Sequence, residues 1–294
     1  MNSVSRTYVT GLAAIAIAAI GVFGFVITET SKSWAAEGAR SDLVNRQVLR
    51  VCADPANLPF SGKDEPGFEN KIAEIVADEL NVPVEYTWFP QATGFIRRTL
   101  FAKRCDLVIG YAQGDTMVLN TNHYYTSAYS LIYPKGKGLD GIDSLSDPRL
   151  VGKKIGIIAG TPPATILALK KLIQYARPYQ LTVDRRHFSP AEEMTKDLRS
   201  GKVDIGIMWG PMAGYFAQRG GEQLTVVPLL KEKVGPRMSF RITMGVRRAD
   251  TTWKKKLNEI IAKRQADINK VLASYGVPLF ETDARPTFDA TNAN

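Results

Sequence analysis

The sequence predicts an α/β fold of two lobes, each a mainly parallel sheet flanked by helices, with two hinge crossings between them. Three observations carry this expectation. Short β-branched runs alternate with segments whose apolar residues recur at the helical period. Two Pro/Gly-rich breaks, Pro134-Lys135-Gly136-Lys137-Gly138 and Lys233-Val234-Gly235-Pro236, divide the alternation into two series. A strand and a long helix follow the second break, so the chain returns to the lobe it left. The boundaries this gives are residues 48–134 with 238–279 for the first lobe, 135–237 for the second, and 280–294 for a C-terminal tail.

The elements follow in order. Leu49-Arg50-Val51-Cys52 is a strand, and a Pro-rich turn from Asp54 to Phe60 follows it. A helix opens near Gly67, with Phe68, Ile72, Ile75, Val76 and Leu80 on one face. Val84 to Trp88 is a strand, Gln91 to Ala102 a helix, and Asp106 to Ile109 a strand that precedes a polar loop and a further strand, Ala128 to Tyr133. In the second series, Lys154 to Ile158, Leu181 to Asp184, Val203 to Met208 and Leu224 to Val227 are strands. The intervening helices are expected from Pro162 to Tyr175, Pro190 to Arg199 and Gly214 to Arg219. Phe240 to Val246 is the returning strand. The last helix starts at the N-cap candidate Asp250 and stops at Gly276 and Pro278. Helices between successive strands imply crossover connections and parallel pairing.

Ahead of all this, Arg6 precedes an apolar run from Gly11 to Ile27, and small residues stand at Ser33 and Ala35. This is the layout of a secretory signal over residues 1–35, cleaved after Ala35. The alternative is an uncleaved anchor, for which the run is marginal, since about 20 residues cross a bilayer core. Either way the globular part is delivered to the periplasm. The roughly 255 residues that follow suffice for one large domain or two modest ones. The net charge of +9 is spread along the chain, with one dense stretch at Lys254-Lys255-Lys256 and Lys263-Arg264 that reads as a solvated helix face. No aromatic-interleaved basic motif points to nucleic acid.

The two cysteines, Cys52 and Cys105, both border strands, and export permits a disulfide between them. Two buried thiols are the alternative. No His or further Cys stands at ligand spacing, so no metal is expected.

Several stretches carry a resemblance: Cys52-Ala53-Asp54-Pro55-Ala56-Asn57-Leu58-Pro59-Phe60, Gly67-Phe68-Glu69-Asn70-Lys71-Ile72-Ala73-Glu74, Arg104-Cys105-Asp106, Thr161-Pro162-Pro163-Ala164, Trp209-Gly210-Pro211-Met212-Ala213-Gly214-Tyr215 and Tyr275-Gly276-Val277-Pro278. In this order they resemble family 3 of the periplasmic solute-binding proteins. More specifically they resemble its MoxJ/XoxJ-type branch, solute-binding-like proteins associated with pyrroloquinoline-quinone (PQQ)-dependent methanol dehydrogenases. The resemblance implies the type II periplasmic binding fold and an accessory or maturation role for a PQQ-dependent methanol or alcohol dehydrogenase. The PQQ would be bound by the partner and no cofactor by this chain. The alternative is a receptor that delivers a small non-amino-acid solute to an inner-membrane permease of an ABC importer.

The expected cleft departs from that of amino-acid-binding relatives. Those proteins hold the ligand carboxylate with an Arg shortly after the third strand, and this chain has no Arg between Arg104 and Arg149. Tyr111 and Gln113 occupy the matching region. The acid that would pair the ammonium is replaced by Trp209, and the stacking aromatic of the first turn by Asn57. A zwitterion would be desolvated there without its charge partners, at several kcal/mol per ion. The expected site is therefore an uncharged cleft, with Phe60, Tyr111, Trp209 and Tyr215 around Asp54, Asn57, Glu69, Asn70 and Gln113. Core packing remains the other reading of the aromatics, and turn capping that of Asp54. Thr161 before Pro162 reads as an N-cap whose free N–H groups either cap only or also take an anion.

An enzyme is not expected. Only His123 and His187 are present, and no nucleophile elbow, zinc motif or dinucleotide fingerprint occurs. Asp140-Gly141-Ile142-Asp143 lacks calcium-loop spacing, and Glu192-Glu193 falls on a helix. N-terminal sequencing of the exported protein is expected to begin at Ala36; a chain that retains residues 1–35 would establish the anchor instead.

Overall fold

A computed structural model describes residues 44–220 and 223–280. The leader reading and the tail from residue 281 lie outside the described residues. The first half of the chain supplies β1 (Leu49–Ala53), β2 (Ala56–Asn57), β3 (Ser61–Gly62), α1 (Phe68–Leu80), β4 (Val84–Trp88), α2 (Phe95–Arg98), β5 (Leu107–Ala112), β6 (Leu119–Asn120) and β7 (Tyr125–Pro134). The second supplies β8 (Ile155–Ile158), α3 (Pro162–Leu169), β9 (Ala176–Tyr179), α4 (Pro190–Arg199), β10 (Ile205–Trp209), α5 (Gly210–Gln218) and β11 (Leu224–Pro228). The chain then returns through β12 (Ser239–Val246) and α6 (Thr251–Ser274).

The main sheet runs β4-β1-β5-β12-β7-β10-β8-β9, with β6 added on β12 and β11 on β7. Its two wings are parallel, β4-β1-β5 and β10-β8-β9, as the crossover helices require. Antiparallel strands join them. β7 pairs with β12 from Tyr125 to Ala128, and then with β10 and β11 from Tyr129 onward. The change of partner lies inside β7 and so precedes the Pro134-Lys135 break in the sequence. A Pro/Gly cluster marks where a strand ends, whereas the change of partner leaves the backbone extended and unmarked.

Each wing has its own apolar core. In the first, Phe68, Ile72 and Val76 of α1 and Leu257, Ile260, Ile261, Ile268 and Leu272 of α6 cover Val51, Leu107 and Met244. In the second, Ile155, Ile157, Ile205 and Ile207 pack under Ile166 and Leu167 of α3, while Met194, Leu198 and Phe216 cover the other face. Burial at about 25 cal/mol per Å² of apolar surface makes these layers the dominant stabilising term.

Several elements differ from their sequence readings, α5 among them, which starts at Gly210 rather than Gly214, directly after Trp209. The helix expected over 91–102 is confined to α2: Gly94 sits at φ +90°, and the Thr99 hydroxyl donates to the Phe95 carbonyl at 2.7 Å, closing the turn. The helix expected to reach Tyr175 ends at Leu169, and Ile173–Tyr175 forms a separate 3₁₀ turn. The strand expected at 181–184 lies earlier, at Ala176–Tyr179, because β8 offers only Ile155 to Ile158 for pairing. Asp250 stands at the N-cap of α6, as the sequence indicates, and its carboxylate also pairs with Arg247 at 2.7 Å.

Cys52 and Cys105 are joined, with Cα atoms 5.5 Å apart, because β1 and β5 pair with Cys52 opposite Val108. Beside the bridge, Asp106 accepts from Arg50 Nε and from Arg247 Nη2, both at 2.7 Å. Against its burial, Arg50 and Arg247 hold the Asp106 carboxyl below the usual range. Closing a loop of 53 residues by a disulfide restricts the unfolded chain and contributes about 4 kcal/mol. The Cys52→Ala/Cys105→Ala variant is therefore expected to lose about 4 kcal/mol in chemical denaturation, and an unchanged midpoint would contradict this.

Candidate functional site

The cleft is built where the two wings face each other at the C-terminal ends of their parallel strands, the usual ligand position in α/β sheets. Two regions result: an aromatic and carboxylate cluster at the crossing strands, and a cavity farther out.

At the crossing, Trp209 ends β10 directly opposite Tyr129 of β7. Its ring meets Tyr129 at 5.3 Å and Phe240 of β12 at 5.8 Å, both edge-on, and Tyr129 meets Phe240 at 6.4 Å. Trp209 thus belongs by sequence to the second wing and packs against the core of the first. The Arg237 guanidinium lies 4.6 Å from the Phe240 ring centre. Burial pushes the Tyr129 phenol up to about 12.

Glu69, at the start of α1, points toward β5. A Cβ on Gly110 would lie 1.8 Å from Glu69 Oε1, and Gly110 adopts φ +80°, so both the carboxylate and the backbone require glycine here. Burial, then the nearby charge of Asp54, push the Glu69 carboxyl up to about 8. The Tyr124 and Tyr125 phenols are raised by their own burial and, in part, by Glu69. Among the described residues no cation pairs with Glu69. The shift favours the protonated form, which can donate a hydrogen bond.

The outer cavity has a volume of about 530 Å³ and is lined from both wings, by Asn57, Leu58 and Glu65 on one side and Arg185, Met212 and Arg219 on the other, among others. Ion pairs span the wings: Arg219 to Glu65 at 2.6 Å, and Arg185 to Asp54 at 3.8 Å. Tyr215 donates to Glu65 at 3.3 Å, carries the Arg219 guanidinium over its ring at 4.2 Å, and stacks on Tyr275 at 6.1 Å. Behind it, Gly214 of α5 approaches so closely that a Cβ would lie 1.8 Å from the Gly276 carbonyl oxygen. The segments Trp209-Tyr215 and Tyr275-Pro278, far apart in sequence, are two faces of one contact.

The structure divides the expected site residues. Asn57 and Tyr215 line the outer cavity, and Asp54 lines an adjoining one of about 470 Å³ together with Arg185. Asp54 also holds the loop beyond β4, accepting from Gln91 N at 2.7 Å and from Ala56 N at 2.9 Å. Asn57 donates to Gln91 Oε1 at 3.0 Å. Asn70 is consumed structurally: its Oδ1 accepts from the Gly62 and Gly67 amides. Phe60 packs edge-on to Phe68 at 5.3 Å, a contact with the first core. Tyr111 donates to Asp115 at 3.2 Å and is half-buried, while Gln113 is exposed; neither lines the outer cavity. Thr161 does precede α3, but its hydroxyl donates back to the Ile158 carbonyl at 2.6 Å and caps no amide. Glu65, Arg185, Arg219, Tyr129 and Phe240 were not singled out in the sequence; they are ordinary surface or strand residues until the fold juxtaposes them. Among the described residues no cluster of His, Cys, Asp and Glu could hold a metal, and no helix is long and apolar enough to cross a membrane.

The doubly wound wings, joined by β7 and β12 over an interwing cleft, define a type II periplasmic binding fold. Residues 49–277 match the bacterial extracellular solute-binding proteins, family 3, and the chain belongs to that family. The protein MoxJ of Methylorubrum extorquens is 32% identical over 268 residues, covering 85% of this chain and 86% of MoxJ. The crystal structure of the periplasmic binding protein XoxJ from Methylobacterium extorquens AM1 is 46% identical, with a TM-score of 0.68 over 79% of this chain and 99% of XoxJ. That of MxaJ from Methlophaga aminisulfidivorans MPT is 29% identical, with a TM-score of 0.71 over 79% of this chain and 100% of MxaJ. These similarities place the chain in the MoxJ/XoxJ-type branch. An ancestral cationic amino acid solute-binding protein, 23% identical with a TM-score of 0.63 over 79% of this chain and 96% of its own, shares the fold alone.

The raised carboxyl of Glu69 makes stability depend on pH. An unfolded Glu releases its proton near pH 4.3, whereas the folded one holds it to about 8. The stabilising contribution is complete below the first value and is lost as pH rises through the second. Glu69→Gln is expected to flatten the fall in thermal midpoint between pH 5 and pH 8; an identical slope in both proteins would show that Glu69 is ionised in the fold.

Proposed function

We propose that this chain is a non-catalytic periplasmic accessory protein that serves a PQQ-dependent methanol or alcohol dehydrogenase during its maturation. The similarity to MoxJ, XoxJ and MxaJ supports the reading. The observation that carries it is the seat of Trp209. Where amino-acid receptors hold an ammonium, this protein puts an indole locked between Tyr129 and Phe240. Trp209 stands in place of the acid that would pair a zwitterion's ammonium, and the cleft's acids, Asp54 and Glu65, are already paired with Arg185 and Arg219. The outer cavity is partly open and suits a protruding side chain of a partner protein. The quinone belongs to that partner, and this chain binds no cofactor.

A second reading is a receptor for a small non-amino-acid solute, delivered to an inner-membrane permease. The 530 Å³ cavity, lined from both wings, favours it, since small-molecule sites fall in that size range.

Pull-down from periplasmic extract is expected to recover the dehydrogenase, and adding the protein to apo-enzyme should raise the active fraction. Absence of both effects would dismiss the accessory role. Thermal-shift screening against metabolites separates the readings, because a solute at 100 times its Kd adds about 2.7 kcal/mol to stability. A clear solute hit without dehydrogenase binding would favour the receptor.

A further inference from the structure

The cleft uses only one end of the second wing's parallel strands. Ile158 at the end of β8 and Leu181 just past β9 line the outer cavity. The opposite, N-terminal ends of β8, β9 and β10 frame a separate open groove of about 560 Å³. Lys153, Lys154, Gln174, Tyr175, Arg177 and Lys202 form its wall. No carboxylate is in its wall, although Asp204 lies beside it, accepting from the Lys154 amide at 2.8 Å. Arg177 and Lys202 are anchored on the buried Asp197 behind the wall, at 2.8 and 3.3 Å. Among the described residues Lys153 and Lys154 form no ion pair. Positive charge gathered on one surface repels itself and raises the local concentration of anionic partners.

A second observation concerns the rim. Val151, 63% exposed, immediately precedes Gly152 of the groove, and Ile173, 48% exposed, immediately precedes Gln174. Single exposed aliphatics are ordinary on a surface, but these two adjoin residues of the groove wall in sequence, where a docked peptide would bury them.

We infer that this groove docks an acidic segment of a partner protein, which presents carboxylates to Lys153 and Lys154 and an apolar side chain to Val151 or Ile173. Two other anionic surfaces fit less well. A bilayer presents its anions in one extended plane, whereas the basic residues here are gathered in one small, open hollow at the ends of three strands. A nucleic-acid strand needs successive stacking rings, and Tyr175 is the one aromatic residue in the wall. Because the groove lies at the opposite ends of the strands from the cleft, docking leaves the cleft free. The inference does not depend on what the cleft holds.

The test uses the full chain and a fluorescein-labelled peptide of alternating Glu and Leu, followed by fluorescence anisotropy. Binding is expected to weaken about ten-fold in Lys153→Glu/Lys154→Glu and severalfold in Val151→Ser, and to fall with added salt. Lys233→Glu, on the same wing but outside the groove, should bind as the unaltered protein does. Carbodiimide coupling on the unaltered protein should join the peptide to Lys153 or Lys154, which keeps the test valid if the double variant fails to fold. Coupling confined to other lysines, or undiminished binding by a folded double variant, would overturn the inference. Tighter binding to phosphatidylglycerol vesicles or to a single-stranded oligonucleotide, lost in the same variant, would overturn it in favour of that surface.

Discussion

The two wings are joined edge to edge through β7 and β12. β7 pairs with β12 as far as Ala128 and with β10 from Tyr129, so one strand belongs to both wings. This continuity fixes what can stand at the base of the cleft. Tyr129 faces Trp209 in register, Phe240 arrives on the returning strand, and the three rings close over one another. α5 starts at once after Trp209 and is drawn onto the crossing. There Gly210 and Gly214, one helical turn apart, let its backbone approach the Ala128 and Gly276 carbonyls. Tyr215 then meets Tyr275, and Ser127 donates to the Pro278 carbonyl at 3.1 Å. The base of the cleft is thus a packed aromatic joint in which little is left to hold a small zwitterion.

Charges in the first wing are handled in two opposite ways. Asp106 is buried but surrounded by donors from Arg50, Arg247 and the Asn45 amide, which favours its ionised form and ties β5 to β1 and to the start of α6. Half-buried Glu69 has no cation partner among the described residues, and its carboxyl is pushed toward the protonated form instead. The first arrangement stabilises the scaffold; the second leaves a titratable carboxyl against Gly110 of β5. Between the wings the ion pairs are weaker. Glu65 with Arg219 is exposed to water, and Asp54 with Arg185 is long, so both are open to exchange for contacts with another molecule.

The surface chemistry separates along the same axis. The C-terminal strand ends carry the cleft, whose chemistry is aromatic, with cations at its outer margin. The N-terminal ends of the second wing carry a lysine-rich groove with aliphatic neighbours. Were both regions to meet one macromolecular partner, the second binding event would become intramolecular.

The sequence by itself determined the alternation of strands and helices, the return of the C-terminal helix to the first wing, the pairing candidates Cys52 and Cys105, and the missing arginine between Arg104 and Arg149. These are properties of local period and residue type, which short-range physics reads directly. It misplaced β9 by several residues because Leu181-Thr182-Val183 has strand-forming side chains; pairing with the four-residue β8 decided the matter, and left Leu181 exposed at 46%. It also grouped ten residues into one cleft. The fold alone assigned Asn70 to a turn, Phe60 to a core contact and Gln113 to solvent, and brought Glu65, Arg185 and Arg219 together. Side-chain direction and contacts across 150 residues depend on how the wings are packed, and no local pattern encodes that geometry.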